Sequence, residues 1–198
     1  MLGDSYEYGN CVAKNETEAN KWFAKACLTC VAEAQKGDAD AQYYLGEMYR
    51  LGEYFDMDYS EAGKWYLKAA EQGYTDAIHC LGIIYEYGGH GLEKDVIEAI
   101  KWYKKGAEKG DFFCGASLGD IYKHGIGVPK NYALAVQWYI PHAKYNSFAQ
   151  YCLGSIYEEG GYGVTKDINE AVIWYRLAAE DDDHSEDDAK KTLARLGY

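Results

Sequence analysis

The chain has 198 residues, 48 % of them hydrophobic and 16 % aromatic, which is ample for a packed core and excludes general disorder. A net charge of −12 excludes nucleic acid and anionic membranes as partners, because both require clustered Lys and Arg. No apolar run approaches the ~20 residues that span a bilayer, so membrane insertion is not expected.

The dominant signal is periodic. Trp65, Trp102, Trp138 and Trp174 follow one another at spacings of 37, 36 and 36 residues. Leu45-Gly46, Leu81-Gly82, Leu118-Gly119 and Leu153-Gly154 recur in step. A period of this length marks stacked helix pairs. The spacing predicts a single domain made of a partial repeat at 1–37, repeats at 38–73, 74–110, 111–145 and 146–181, and a half-repeat at 182–198 that caps the stack.

The first segment, 1–37, is incomplete at its start. Leu2, Gly3, Tyr6 and Gly9 match Leu45, Gly46, Tyr49 and Gly52. Met1 therefore falls inside a repeat, and residues preceding it in the natural protein are expected. No signal peptide is visible. Trp22 lies 15 residues before Gly37, against 8 from Trp65 to Gly73, so the second helix here runs about two turns longer.

Within each full repeat the first helix carries Ala, Leu and Tyr at i, i+4 and i+8, as in Ala77, Leu81 and Tyr85, one buried stripe of a 3.6-residue helix. Glycine after the Leu costs ~1 kcal/mol against Ala. Its recurrence points to close approach of a neighbouring helix. Second helices open with Asp58-x-x-Glu61, Asp95-x-x-Glu98 and Asp167-x-x-Glu170, with Asn15-x-x-Glu18 in the first segment, a pattern that predicts reciprocal capping boxes. The tryptophans of the following Trp-aromatic pairs are expected to be the stability anchors.

Glycine clusters at 88–91, 125–127 and 160–163 predict turns with positive φ. Gly37, Gly73 and Gly110 serve the same purpose between repeats, and Asn146 is expected to stand in for glycine at the next junction. Pro141 should end or kink the second helix of its repeat. Residues 181–188, DDDHSEDD, read as an exposed acidic connector.

The pattern A-x-x-x-L-G-x-x-Y-x-x-G, a glycine turn, D-x-x-x-A and W-Y-x-x-A-A-E-x-G resembles the Sel1-like repeat, an α/α repeat related to the tetratricopeptide class. The resemblance covers almost the whole chain. It implies an all-α, α/α superhelical solenoid of antiparallel helix pairs with a concave groove, acting as a non-enzymatic scaffold or adaptor for another protein. It also implies two rival roles, a toxin-immunity protein and a β-lactam-binding or hydrolysing protein. Members linked to β-lactams carry regularly spaced cysteine pairs, and this chain does not.

Enzymatic and metal chemistry find little support in the residues. Of the six cysteines, only Cys80 and Cys152 share a repeat position, which favours reduced thiols and leans toward the cytoplasm. Cys27-x-x-Cys30 lies deep in a helix, where core packing is favoured over redox or zinc chemistry. His79, His90, His124, His142 and His184 form no spaced catalytic or ligand set, with His79 expected on an exposed face. No cofactor is implied.

The remaining candidate is the groove wall. Residues two before, two after and five after the framework Leu should point away from the buried stripe. They are Asp4 and Glu7; Tyr43, Glu47 and Arg50; His79, Ile83 and Glu86; Asp120 and Lys123; Tyr151, Ser155 and Glu158. Aromatic and aliphatic groups beside carboxylates suit a protein or peptide partner, and the carboxylates are expected to steer a basic one.

Overall fold

The computed structural model describes residues 16–180 and 184–198, and among them are ten α-helices. In chain order they are α1 (Glu16–Lys36), α2 (Ala39–Leu51), α3 (Tyr59–Glu71), α4 (Thr75–Tyr87), α5 (Val96–Glu108), α6 (Phe112–His124), α7 (Tyr132–Tyr139), α8 (Ser147–Glu159), α9 (Ile168–Ala178) and α10 (His184–Leu196). The all-α repeat class holds. By its contacts the chain divides into two compact units, Met1–Lys94 and Asp95–Tyr198.

In the first unit α2 packs on α1 and α3, and α3 packs on α4. The 21 residues of α1 match the long second helix expected there. In the second unit α5 to α10 pack sequentially, and α10 also touches α8. Here Tyr132, Tyr139, Leu153 and Ile156 build the centre of one buried cluster.

The glycine after the framework Leu does make room for a neighbour. A Cβ on Gly46, Gly119 or Gly154 would stand 2.6, 2.5 or 2.7 Å from the ring of Tyr66, Tyr139 or Tyr175. These tyrosines, the second members of the Trp-Tyr pairs, are at most 1 % exposed, whereas Trp65, Trp138 and Trp174 are only half-buried. The anchors are therefore the tyrosines. Trp65 instead lies under Lys68 at 3.6 Å, and the Trp174 indole N–H donates to Glu170 at 2.8 Å.

The capping expectation holds by half at Asp58, Asp95 and Asp167, and Asn15 lies outside the described residues. Asp58, Asp95 and Asp167 accept from the backbone N–H of Glu61, Glu98 and Glu170. The glutamates do not reach back. Glu61 and Glu98 pair with Lys64 and Lys101. At Asp58 and Asp167 the backbone N–H already donates to the carbonyl of Tyr49 or Tyr157, so the reciprocal bond has no vacant donor there.

Two further positions differ from expectation. Asn146 has φ −142° and caps α8 through a bond from the Ala149 N–H, so it acts as an N-cap rather than a glycine substitute. The acidic run is not wholly a connector: residues 181–183 lie outside the described residues, and Glu186 and Asp187 sit in the first turn of α10, where negative charge favours the helix. Pro141 acts as predicted, with α7 stopping after eight residues and a 3₁₀ turn at Ala143–Tyr145 following. Across that break His142 packs against Gly115, where any Cβ would collide with the imidazole.

A longer period overlies the repeat. His90 (φ 46°) and Tyr162 (φ 48°) are 72 residues apart, each in a glycine-flanked turn. Their carbonyls accept from the N–H groups of Tyr59 (2.7 Å) and Tyr132 (2.9 Å), the first residues of α3 and α7. The facing rings lie 4.9 and 5.0 Å apart. Each turn thus satisfies an orphan donor at the start of a helix in the preceding repeat.

Candidate protein-contact face on the first helices

Helical spacing of three and four brings the expected row together on each first helix. Tyr43, Glu47 and Arg50 share a face of α2, and His79, Ile83 and Glu86 one of α4. Asp120 and Lys123 lie on α6, and Tyr151, Ser155 and Glu158 on α8. Asp4 and Glu7 fall outside the described residues. Glu86 is buried, at 7 % exposure, and the others are half-buried, His79 included.

The acids of the row bond inward. The Tyr66 hydroxyl donates to Glu47, whose carboxylate also receives Arg50 Nε at 2.9 Å and Nη2 at 2.7 Å. The Tyr139 hydroxyl donates to Asp120 at 2.7 Å. The Tyr175 hydroxyl donates to Glu158 at 2.9 Å, and Arg195 of α10 reaches the other oxygen at 2.6 Å. Leaving such a hydroxyl unpaired would cost about 1–3 kcal/mol, so these carboxylates complete the core. The picture of free carboxylates facing solvent is corrected for Glu47, Asp120 and Glu158.

The sequence carries a sign of this arrangement. Glu47 and Asp120, two after the Leu, are followed three residues on by Arg50 and Lys123. Where that place holds Ile83 or Ser155, Glu86 or Glu158 stands three residues on. Each of the four full repeats thus supplies one carboxylate, from either of two adjacent helical turns.

Electrostatics follow from these contacts. Burial would raise the Glu47 pKa, but hydrogen bonds from Arg50 and Tyr66 outweigh it and hold the carboxyl below its usual range. Burial, reinforced by the nearby Glu47 carboxylate, pushes the Cys80 thiol up to about 12. The Cys152 thiol is raised by burial too. Neither is a nucleophile at neutral pH. Cys27 is buried in α1, and the Cys30 thiol donates to the Ala41 carbonyl, in keeping with core packing. Among the described residues no group of three or more His, Cys, Asp or Glu could hold a metal ion.

Aromatic rings form the rest of the face. Tyr43 stacks on Tyr74 at 5.0 Å and lies 5.4 Å from Tyr44. Tyr151 lies 5.4 Å from Tyr175. In the first unit a groove of about 600 Å³ opens between α1 and α2, lined by Phe23, Tyr43, Tyr44, Met48 and Leu51 among others. In the second unit a recess of about 490 Å³ gathers Tyr151, Ser155 and Glu158 with Lys166, Thr192 and Arg195. Sequence reasoning missed the last three. Arg195 is two after Leu193, so the rule that selected the row extends to it.

With this architecture in place, the comparisons agree with it. The Sel1 repeat model matches residues 1–28, 39–74, 75–111, 116–141 and 147–183, and the chain belongs to that family. A Sel1 repeat protein from Oxalobacter formigenes is 37 % identical, with a TM-score of 0.69 over 98 % of this chain and 75 % of its own. A protective antigen of uropathogenic Escherichia coli strains, c5321, which displays the same repeat fold, is 36 % identical with a TM-score of 0.71. That match covers 90 % of this chain but only 37 % of the antigen, so the chain spans little more than a third of it. No curated protein matches the chain.

Proposed function

We propose that the chain is a non-enzymatic scaffold that holds a partner protein or peptide against the exposed face of its first helices. Sel1 repeats generally serve protein–protein interaction, which supports the class. The observation that carries the reading is the recess beside α8, where Tyr151 and Ser155 of the expected row line an open hollow with side chains from α10. Tyr43 and Tyr151 rest against the core rings of Tyr66 and Tyr175, and rings held in this way lose little entropy on binding, which suits contact anchors. Net acidity outside the row favours encounter with a basic partner at long range.

Tyr43→Ala and Tyr151→Ala test the reading, because neither hydroxyl completes a core bond. Each variant should keep its helical circular dichroism yet retain at least tenfold less partner when immobilised and challenged with lysate from the source cells. Undiminished retention by both would remove the face from consideration. Turnover of a chromogenic β-lactam by the wild-type chain would remove the scaffold assignment itself.

A further inference from the structure

The recess beside α8 has an imbalance between donors and acceptors. Of its two acids, Glu158 accepts from Tyr175 and Arg195 at both oxygens, and Glu159 accepts from the Tyr132 hydroxyl at one oxygen, Oε2, at 2.6 Å. Ser155 is committed as well, donating to the Cys152 carbonyl at 2.9 Å. Among the described residues, the Tyr151 and Thr192 hydroxyls and the Lys166 ammonium have no hydrogen-bond partner. Arg195 offers its remaining N–H groups from a side chain that is 59 % exposed. Four donor groups therefore line one hollow, and against them, among the described residues, Glu159 Oε1 is the one carboxylate oxygen of the lining with no hydrogen-bond partner. A group that brings oxygen acceptors meets this surplus of donors, and a carboxylate can pair with Lys166 and with the N–H groups that Arg195 does not spend on Glu158.

The first unit does not share this arrangement. There Arg50 is folded onto Glu47, and the facing position on α4 is Cys80, whose thiol donates to the same carboxylate at 3.6 Å. On α10 the matching positions carry Thr192 and Arg195. The donor surplus follows from α10 having hydroxyl and guanidinium groups where α4 has Cys80 and Ile83.

We infer that this recess is a docking point for an acidic segment of the partner protein, whose carboxylates bridge Lys166 and Arg195 and accept from Tyr151 and Thr192. The inference rests on the scaffold reading and specifies the partner's chemistry at one place, against the negative sign of the chain as a whole. Binding there should be strongly salt-dependent.

Fluorescein-labelled octaglutamate and octalysine, titrated against the full chain at low salt and followed by fluorescence anisotropy, test it. Octaglutamate should bind and octalysine should not compete for the site. Arg195→Ala can unseat α10 from Glu158, so the exposed Lys166→Ala carries the argument. It should weaken octaglutamate about three- to fivefold, and Thr192→Val should weaken it too, both without loss of helical signal. Unchanged affinity in Lys166→Ala, or no octaglutamate binding, overturns the assignment. Octalysine binding that is lost in Tyr151→Ala overturns it too, but leaves the scaffold reading standing. Self-association lost in Lys166→Ala, seen by light scattering, also overturns it, because the occupant would then be an acidic stretch of a second copy.

Discussion

The segments around α2–α4 and α6–α8 use one set of devices with different fillings. In both, a tyrosine ring lies over a glycine and hands its hydroxyl to an acid two residues after the framework Leu. In both, a buried cysteine of the next helix, Cys80 or Cys152, is raised in pKa by burial. They part at the end of the second helix. α3 runs for 13 residues and keeps Ala69 four after its Trp, whereas α7 stops at eight and places His142 there. Gly115 in the second segment, where the first has Gln42, admits the imidazole. A repeat therefore tolerates a large exchange on one helix when the facing helix gives up equal volume.

Truncation should produce the largest effects. Tyr66→Ala and Tyr139→Ala should each lose about 3–5 kcal/mol in urea unfolding, and Trp65→Ala and Trp138→Ala less. A larger loss at the tryptophans would reverse the assignment of anchors. Next come the glycines: Gly46→Ala and Gly119→Ala should cost about 1–3 kcal/mol, because the Cβ must displace a fully buried ring. Equal costs would show the two segments to be equally rigid.

Two pH effects are smaller and differ between the segments. The folded-state pKa of His142 is lowered by burial, with Asp111 opposing. Its neutral form is favoured in the fold, so stability is full above about 6.5 and declines as pH falls below that value. His142→Gln should flatten that limb. Glu47 also has a depressed folded pKa, so its contribution is present above about 4.5 and is lost as pH falls further. Glu47→Gln should remove part of the acid transition only. Thermal melts across pH 3 to 8 would separate the two, and an unaltered profile in either variant would refute its assignment.

Much of this architecture is legible in the residues because the period repeats its own evidence. Leu-Gly pairs announced a close neighbour, and Pro141 announced a short helix. What misled was local ambiguity. Trp and Tyr are adjacent in the pairs of the four full repeats, and a helical pattern alone does not say which ring faces the core. Asn is favoured both as an N-cap and at positive φ, so Asn146 could be read either way. The reciprocal half of the capping boxes at Asp58 and Asp167 failed because a carbonyl from the preceding helix, remote from the box in the local pattern, had taken the donor. For the face on the first helices, membership was readable from spacing. The inward turn of Glu47, Asp120 and Glu158 was not, since it depends on which tyrosine stands opposite. The exchange between Glu47/Arg50 and Ser155/Glu158 was the visible clue.

The carbonyls of His90 and Tyr162 have a bearing on how such a chain can change length. Each closes a bond to the start of a helix in the repeat before it, so the two repeats form a matched set. Adding or excising about 72 residues as such a set keeps donor and acceptor together, while a single repeat inserted between a donor and its acceptor separates them. Natural or engineered variants of this protein should therefore gain and lose repeats in twos.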